Sequence, residues 1–145
     1  MRFDIENQLS VAQAFTGGAT VSTNSYAKQS AAQDISIGRR MALLIMVVVA
    51  AGAGSTWTFD AIQADDGALT TNVQVLASVS VLAANLAVGA VVELPYPQGT
   101  MTKQYLGMRA SASGGTTTIT VDCYLVPQDE IPKYKSFPKV VDAQV

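Results

Sequence analysis

The run Leu86-Ala87-Val88-Gly89, then Val91-Val92-Glu93-Leu94-Pro95-Tyr96-Pro97-Gln98-Gly99, then Lys103-Gln104-Tyr105-Leu106-Gly107-Met108-Arg109, decides the fold class. Ser113-Gly114-Gly115 and the alternating segment Thr116 to Val126 follow it. Strand, proline-stiffened corner, strand, turn and strand succeed one another, and no side chain among them is equipped for covalent chemistry. Pro95 ends the first strand because proline cannot donate to a sheet ladder. Lys103 to Ala110 and Thr116 to Val126 read as an antiparallel hairpin across the Gly-containing loop. On the closing strand Ile119, Val121, Cys123 and Leu125 form an inward set opposite Thr118, Thr120, Asp122 and Tyr124.

Upstream, both faces of Leu43 to Val49 are apolar, and the β-branched valines favour a strand buried on both sides over a helix. Thr56 to Ile62 alternates, with Trp57, Phe59 and Ala61 on one face. Asp65-Asp66-Gly67 reads as a turn in which Gly67 supplies a positive φ. Val73 to Val79 is a further strand, and the Ala-rich Val81 to Leu86 reads as a helical turn or bent connection. The sum is an all-β, antiparallel jelly-roll or β-sandwich of about seven or eight strands. Residues 1–33 read as an N-terminal arm with a possible first strand near Ala19 to Tyr26. Residues 34–127 form the core, and 128–145 an extended C-terminal tail.

Composition narrows the function. The 145 residues are 49% apolar and only 14% charged, below the roughly 25% usual for globular chains. Low charge with positive mean hydropathy suggests surface covered by other subunits. The net charge of −2 argues against a broadly basic nucleic-acid binder, and no cation lies between Arg40 and Lys103. No histidine is present, which removes Ser-His-Asp and Cys-His catalysis and histidine-ligated metals. The single Cys123 excludes an internal disulfide and reads as a small buried hydrophobe. A carboxylate pair would require Asp60 to meet Glu93 or Asp122 in space. The apolar stretch Met41 to Ala53 is shorter than the roughly twenty residues of a membrane span. The acidic N-terminus does not fit a secretory signal. No enzyme activity, cofactor or metal is expected.

Two cation clusters stand out: Arg39-Arg40, and Lys133, Lys135 and Lys139, which alternate with Tyr134 and Phe137. That pattern suits docking on an acidic protein surface better than on nucleic acid, since neighbouring acids leave the tail neutral. Tyr96, between two prolines, reads as partly exposed and fit for an interface. Arg2, Phe3, Ile5 and Phe15 complete the candidate contacts, on the arm. The alternative is a carbohydrate-binding sandwich, which would need exposed aromatics among Trp57, Phe59, Tyr96, Tyr105 and Tyr124.

Leu86-x-x-Gly89, Val92-x-Leu94-Pro95-x-Pro97-x-Gly99 and Lys103-x-Tyr105-Leu106-x-Met108, with the Gly-bearing turn and the Thr-rich strand to Val126, resemble the phage capsid cement (decoration) protein family typified by the Bordetella podophage cement protein. The resemblance covers residues 19 to 127, and the long N-terminal stretch and the tail depart from it. It implies a jelly-roll protein on the outer surface of an icosahedral virion, made in the host cytoplasm. Its partners would be the major capsid protein and further copies of itself, as a dimer or trimer at a symmetry axis. It also implies extended termini reaching over neighbouring coat subunits, with no direct contact to nucleic acid or membrane.

Overall fold

The computed structural model describes residues 8–31, 33, 35, 39–52, 56–113 and 117–129, and the backbone of 140–142. Its strands are β1 (Gln8–Phe15), β2 (Thr20–Val21), β3 (Tyr26–Ala27), β4 (Met41–Val49), β5 (Thr56–Ala64), β6 (Gln74–Leu82), β7 (Val91–Pro95), β8 (Tyr105–Ala112), β9 (Ile119–Pro127) and β10 (Val140–Asp142). One sheet runs β1-β9-β4-β7-β10; the other runs β2-β8-β5-β6, with β3 also on β8. Counting β2 and β3 as two pieces of one edge strand, the first eight strands follow the double Greek key of a jelly roll. A 3₁₀ turn, Ala83–Asn85, joins β6 to β7, as the Ala-rich segment suggests. No helix among the described residues is long and apolar enough to cross a membrane.

Alternation explains the core. Leu43, Ile45 and Val47 of β4, Trp57, Phe59 and Ala61 of β5, and Ile119, Val121, Cys123 and Leu125 of β9 all point between the sheets and are buried. The outer side of β4 is buried too, where Ala42 and Leu44 pack with Val91, Tyr124 and Val126. The doubly apolar reading of β4 therefore holds over most of the strand, although Val48 and Val49 emerge into solvent.

Three expectations are corrected. β8 and β9 do not form a hairpin: β8 pairs with β5, β2 and β3, whereas β9 pairs with β1 and β4. The connection between them crosses from one sheet to the other, so each strand's apolar face meets the opposite sheet. Among the described residues, β5 and β6 are the only consecutive strands that pair. Second, residues 8–15 and 20–27 belong to the body and not to an arm. Gln13 fastens the two sheets there, donating from Nε2 to Val21 O at 2.9 Å and accepting from Thr23 N at 2.8 Å. Third, the positive φ at the β5–β6 turn falls on Leu69 (59°) and Asn72 (49°), not on Gly67. At the other end of the chain, β10 pairs in parallel with β7, Val140 opposite Val91 and Asp142 opposite Glu93.

The left-handed backbone at Leu69 turns its side chain onto the outer face of the second sheet, against Ile62, Ala64, Val21, Val73 and Tyr105. Directly beneath lies Gly107 of β8. A Cβ on Gly107 would come within 2.2 Å of Leu69 Cδ1, so any side chain here requires the buried Leu69 to shift. On the inner side Tyr96 donates its hydroxyl proton to Gly107 O at 2.9 Å.

Asp66 holds the turn by accepting from Thr70 N and Thr71 N, each at 2.8 Å, and from Thr70 Oγ1 at 2.6 Å. Asp65 accepts from Asn72 Nδ2 at 2.8 Å and Lys103 Nζ at 3.0 Å. The bonds from Asn72 and Lys103 lower the carboxyl of Asp65 below its ordinary 3.8, and those from Thr70 and Thr71 do the same for Asp66.

Gly107→Ala is expected to destabilise the fold by about 1–3 kcal/mol in denaturant titration. In a Leu69→Ala background its added cost should fall below about 0.5 kcal/mol, because the clash is removed. The turn yields a pH prediction. A carboxyl whose folded pKa is depressed contributes fully above its unfolded pKa, and the contribution is lost as pH falls through the lower native value. The Thr70 and Thr71 amide resonances should therefore titrate with a midpoint below 3.8, and Asp66→Asn should abolish that titration.

Candidate docking surface

The chain reverses at two opposite ends of the sandwich. At one end lie Lys28, Arg39 and Arg40, the connections 65–73 and 96–104 and the exit from β9, because Met41 pairs with Pro127, Ala42 with Pro95 and Ala64 with Tyr105. This end carries Lys28, Arg39, Arg40, Asp65, Asp66, Lys103 and Asp129. A groove of about 340 Å³ opens there, lined by Arg39, Arg40, Gln128 and Asp129.

The groove is built where β4 begins beside the end of β9. Gln128 N donates to Arg40 O at 2.8 Å, extending the β4–β9 ladder by one step. Gln128 Nε2 reaches sideways to the buried Glu93 Oε1 of β7 at 3.1 Å. Arg39 meets Asp129 through Nε to Oδ1 at 3.2 Å and Nη2 to Oδ2 at 3.3 Å. With side chains 56% and 67% exposed, that pair contributes at most about 1 kcal/mol and yields to salt. Arg40 is exposed, and its guanidinium makes no hydrogen bond among the described residues. A guanidinium presents five donors in a plane that matches a carboxylate edge, so the groove is chemically suited to an acidic side chain of a partner.

Of the contact residues expected from sequence, the structure brings Arg39 and Arg40 together on this exposed end. It removes two others. Phe15 is fully buried in the core at the end of β1. Tyr96 is fully buried as well, its N bonded to Met41 O at 2.9 Å and its hydroxyl to Gly107 O. Burial raises its phenol well above the ordinary range, so it stays a protonated donor. The flanking prolines shape a corner that drives the ring inward, so Tyr96 is a core plug and not an interface residue. Arg2, Phe3, Ile5, Lys133, Tyr134, Lys135, Phe137 and Lys139 lie outside the described residues.

The remaining candidates resolve by face. Asp60 stands on the outer side of the second sheet, where it accepts from Arg109 Nε at 3.1 Å and Nη2 at 3.0 Å, and from Ser78 Oγ. Glu93 and Asp122 stand on the outer side of the first sheet, where Asp122 Oδ1 accepts from Ala12 N at 2.6 Å. The packed core, about 10 Å thick, separates Asp60 from both, so no carboxylate pair forms. Trp57 and Phe59 are buried, Tyr124 nearly so, and Tyr105 packs on Leu69; these aromatics present no sugar-binding platform. Cys123 is buried, and burial pushes its thiol far up.

Two polar residues that hold this end have no sequence signal. Lys28 is buried, its Nζ donating to Ala31 O and Gln33 O. Gln63 is fully buried; its amide donates to Gln74 Oε1 and Thr102 Oγ1 and accepts from Thr102 N and Lys103 N. Both are long polar residues in polar or alternating runs, indistinguishable in one sequence from solvated ones.

Comparison with curated proteins finds no match. The family model Bbp16 matches residues 9–123. That span begins at the second residue of β1 and ends within β9, so it takes in residues of all eight jelly-roll strands. It also reaches ten residues further toward the N-terminus than the corner motifs suggest, in keeping with β1 being part of the body. The chain therefore belongs to the Bbp16 family, a phage-associated family whose name points to a Bordetella phage protein.

Proposed function

We propose that this protein is a capsid cement protein, a non-catalytic virion component that seats on the outside of an assembled icosahedral head and bridges neighbouring subunits of the major capsid protein. The observation that carries the reading is the family match over essentially the whole jelly roll. Its charge layout supports it. The Arg39–Arg40 groove offers two exposed guanidinium groups to an acidic coat surface, on a body cross-linked by Gln63, Tyr96 and Gln13. A rigid body loses little further entropy on docking. Many copies on a symmetric shell add avidity without any single contact being strong.

Mixing the purified protein with undecorated heads of its phage and sedimenting them tests the proposal. Saturable co-sedimentation at a fixed ratio to coat subunits is expected, with heads that then resist heating better. Arg40→Glu should weaken binding about tenfold, and raising salt from about 0.05 to 0.5 M should weaken the native protein in the same direction. Heads that sediment without the protein at any concentration would sink the reading. Binding that ignores both salt and Arg40 would sink the groove's part in it.

A further inference from the structure

β6 is the margin of the second sheet away from β2, and it pairs on one side only, with β5. Ala77 to Leu82 oppose Ala61 to Thr56 residue for residue, and the register shift lies nearer the start of the strand. The ladder fixes where the backbone of β6 points. Ser113 N donates to Thr56 O at 2.9 Å, so Thr56, and with it Thr58 and Asp60, turn their backbone groups toward β8. Trp57 and Phe59 turn theirs toward β6, onto Val81 and Val79. Ser78 and Ser80 therefore direct their N–H and C=O groups off the free side of the sheet. Both residues are exposed, and among the described residues no backbone hydrogen bond takes up these groups.

Such an edge is ordinarily guarded by a lysine, a proline or an inward-pointing charge. β6 has none of these, and no charged residue or proline occurs from Gly67 to Val92. Its polar side chains do not screen the free side either, because each bonds back to β5. Ser80 Oγ pairs with Thr58 Oγ1 at 3.0 Å, Ser78 Oγ donates to Asp60, and Gln74 Oε1 accepts from Gln63 Nε2 at 2.7 Å. Across the core β6 packs on β7, and the first sheet continues beyond β7 to β10. The second sheet thus ends one strand short of the first at this margin.

We propose that β6 is a strand-addition site, where an extended, uncharged segment of a partner polypeptide pairs with Ser78 and Ser80 and lengthens the second sheet by one strand, opposite β10. Main-chain hydrogen bonds supply the affinity, and alternate side chains of the guest supply the fit. Those beside Val79 and Val81 face the core side and are apolar; those beside Ser78 and Ser80 face solvent. A charge on the guest's inner side would lose its water without gaining a partner, which selects an uncharged segment. The overhang of β10 selects a lone strand over a second folded body. Paired strands lie about 4.8 Å apart and packed sheets about 10 Å apart. Two bodies joined β6 to β6 would therefore each bring β10 onto the other's β7. The proposal stands on this sheet edge and does not depend on the capsid reading.

The test is amide hydrogen exchange of the full-length protein with an end-capped peptide of about seven residues, alternating threonine and valine, long enough to span Ala77 to Leu82. It is used below the concentration at which it self-associates. Without peptide, Ser78 and Ser80 should exchange at least about tenfold faster than Val79 and Val81, whose amides bond to β5. Peptide should slow Ser78 and Ser80 by about tenfold or more, and the same peptide N-methylated throughout should have no effect. Ser80→Pro removes an N–H that faces outward, so the fold should persist while peptide protection of Ser78 is lost. Should that variant fail to fold, the N-methylated peptide still separates backbone pairing from other contact. Three results would overturn the proposal: Ser78 and Ser80 already protected in the protein alone, no protection by the peptide, or equal protection by its N-methylated form. Protection that rises with protein concentration in the absence of peptide would overturn it too, by making a second copy the occupant.

Discussion

Gly107 is gripped from both sides of the second sheet. Tyr96 holds its carbonyl from within the core, and Leu69 fills the place of its absent side chain from outside. One grip comes from a Pro-Tyr-Pro corner whose aromatic ring lies in the core, the other from a leucine in left-handed conformation. Because Tyr96 belongs to the β7–β8 corner and Leu69 to the β5–β6 turn, one glycine fixes two of the connections at the charged end. Gln63 and Lys28 then complete that end with hydrogen bonds that only a correctly placed corner can satisfy. The Arg39–Arg40 groove lies at the same end of this frame.

Most strand positions were legible from alternation, because β4, β5 and β9 each bury one regular apolar set between the sheets. Pairing was not. A short Gly-rich link between β8 and β9 looks the same whether it closes a hairpin or steps from one sheet to the other, and strand periodicity does not distinguish them. β1 escaped notice for a different reason. Its eight residues oppose six of β9, with register shifts after Gln8 and Ser10 and a positive φ at Ala12, so its inward residues do not alternate in sequence. Tyr96 was misplaced because prolines on both sides usually signal an exposed turn. The candidate groove was half legible: the Arg39-Arg40 pair is visible in the sequence, but Gln128 and Asp129 reach it only through the β4–β9 ladder.

Charge in this chain is sorted by end. The sandwich alternates between a charged end and a neutral one each time the chain crosses it, and the sequence changes character accordingly: long, polar, ion-bearing connections at one end and short Ala/Gly/Thr connections at the other. A protein that had only to remain dissolved would not require such separation.

The edges of the sheets bear on how such a molecule can be crowded. In the first sheet, one margin is the doubly bulged β1, whose kinked backbone cannot present an even row of donors and acceptors. The other is β10, three residues long and parallel where the rest of the sheet is antiparallel. In the second sheet, β2 and β3 break one margin, with the Ser22 hydroxyl accepting from Met108 N in place of a strand carbonyl. Three of the four margins are therefore poor templates for a further strand. At high local concentration, lateral growth into a continuous sheet is opposed by the same irregularities that make these strands hard to read in the sequence.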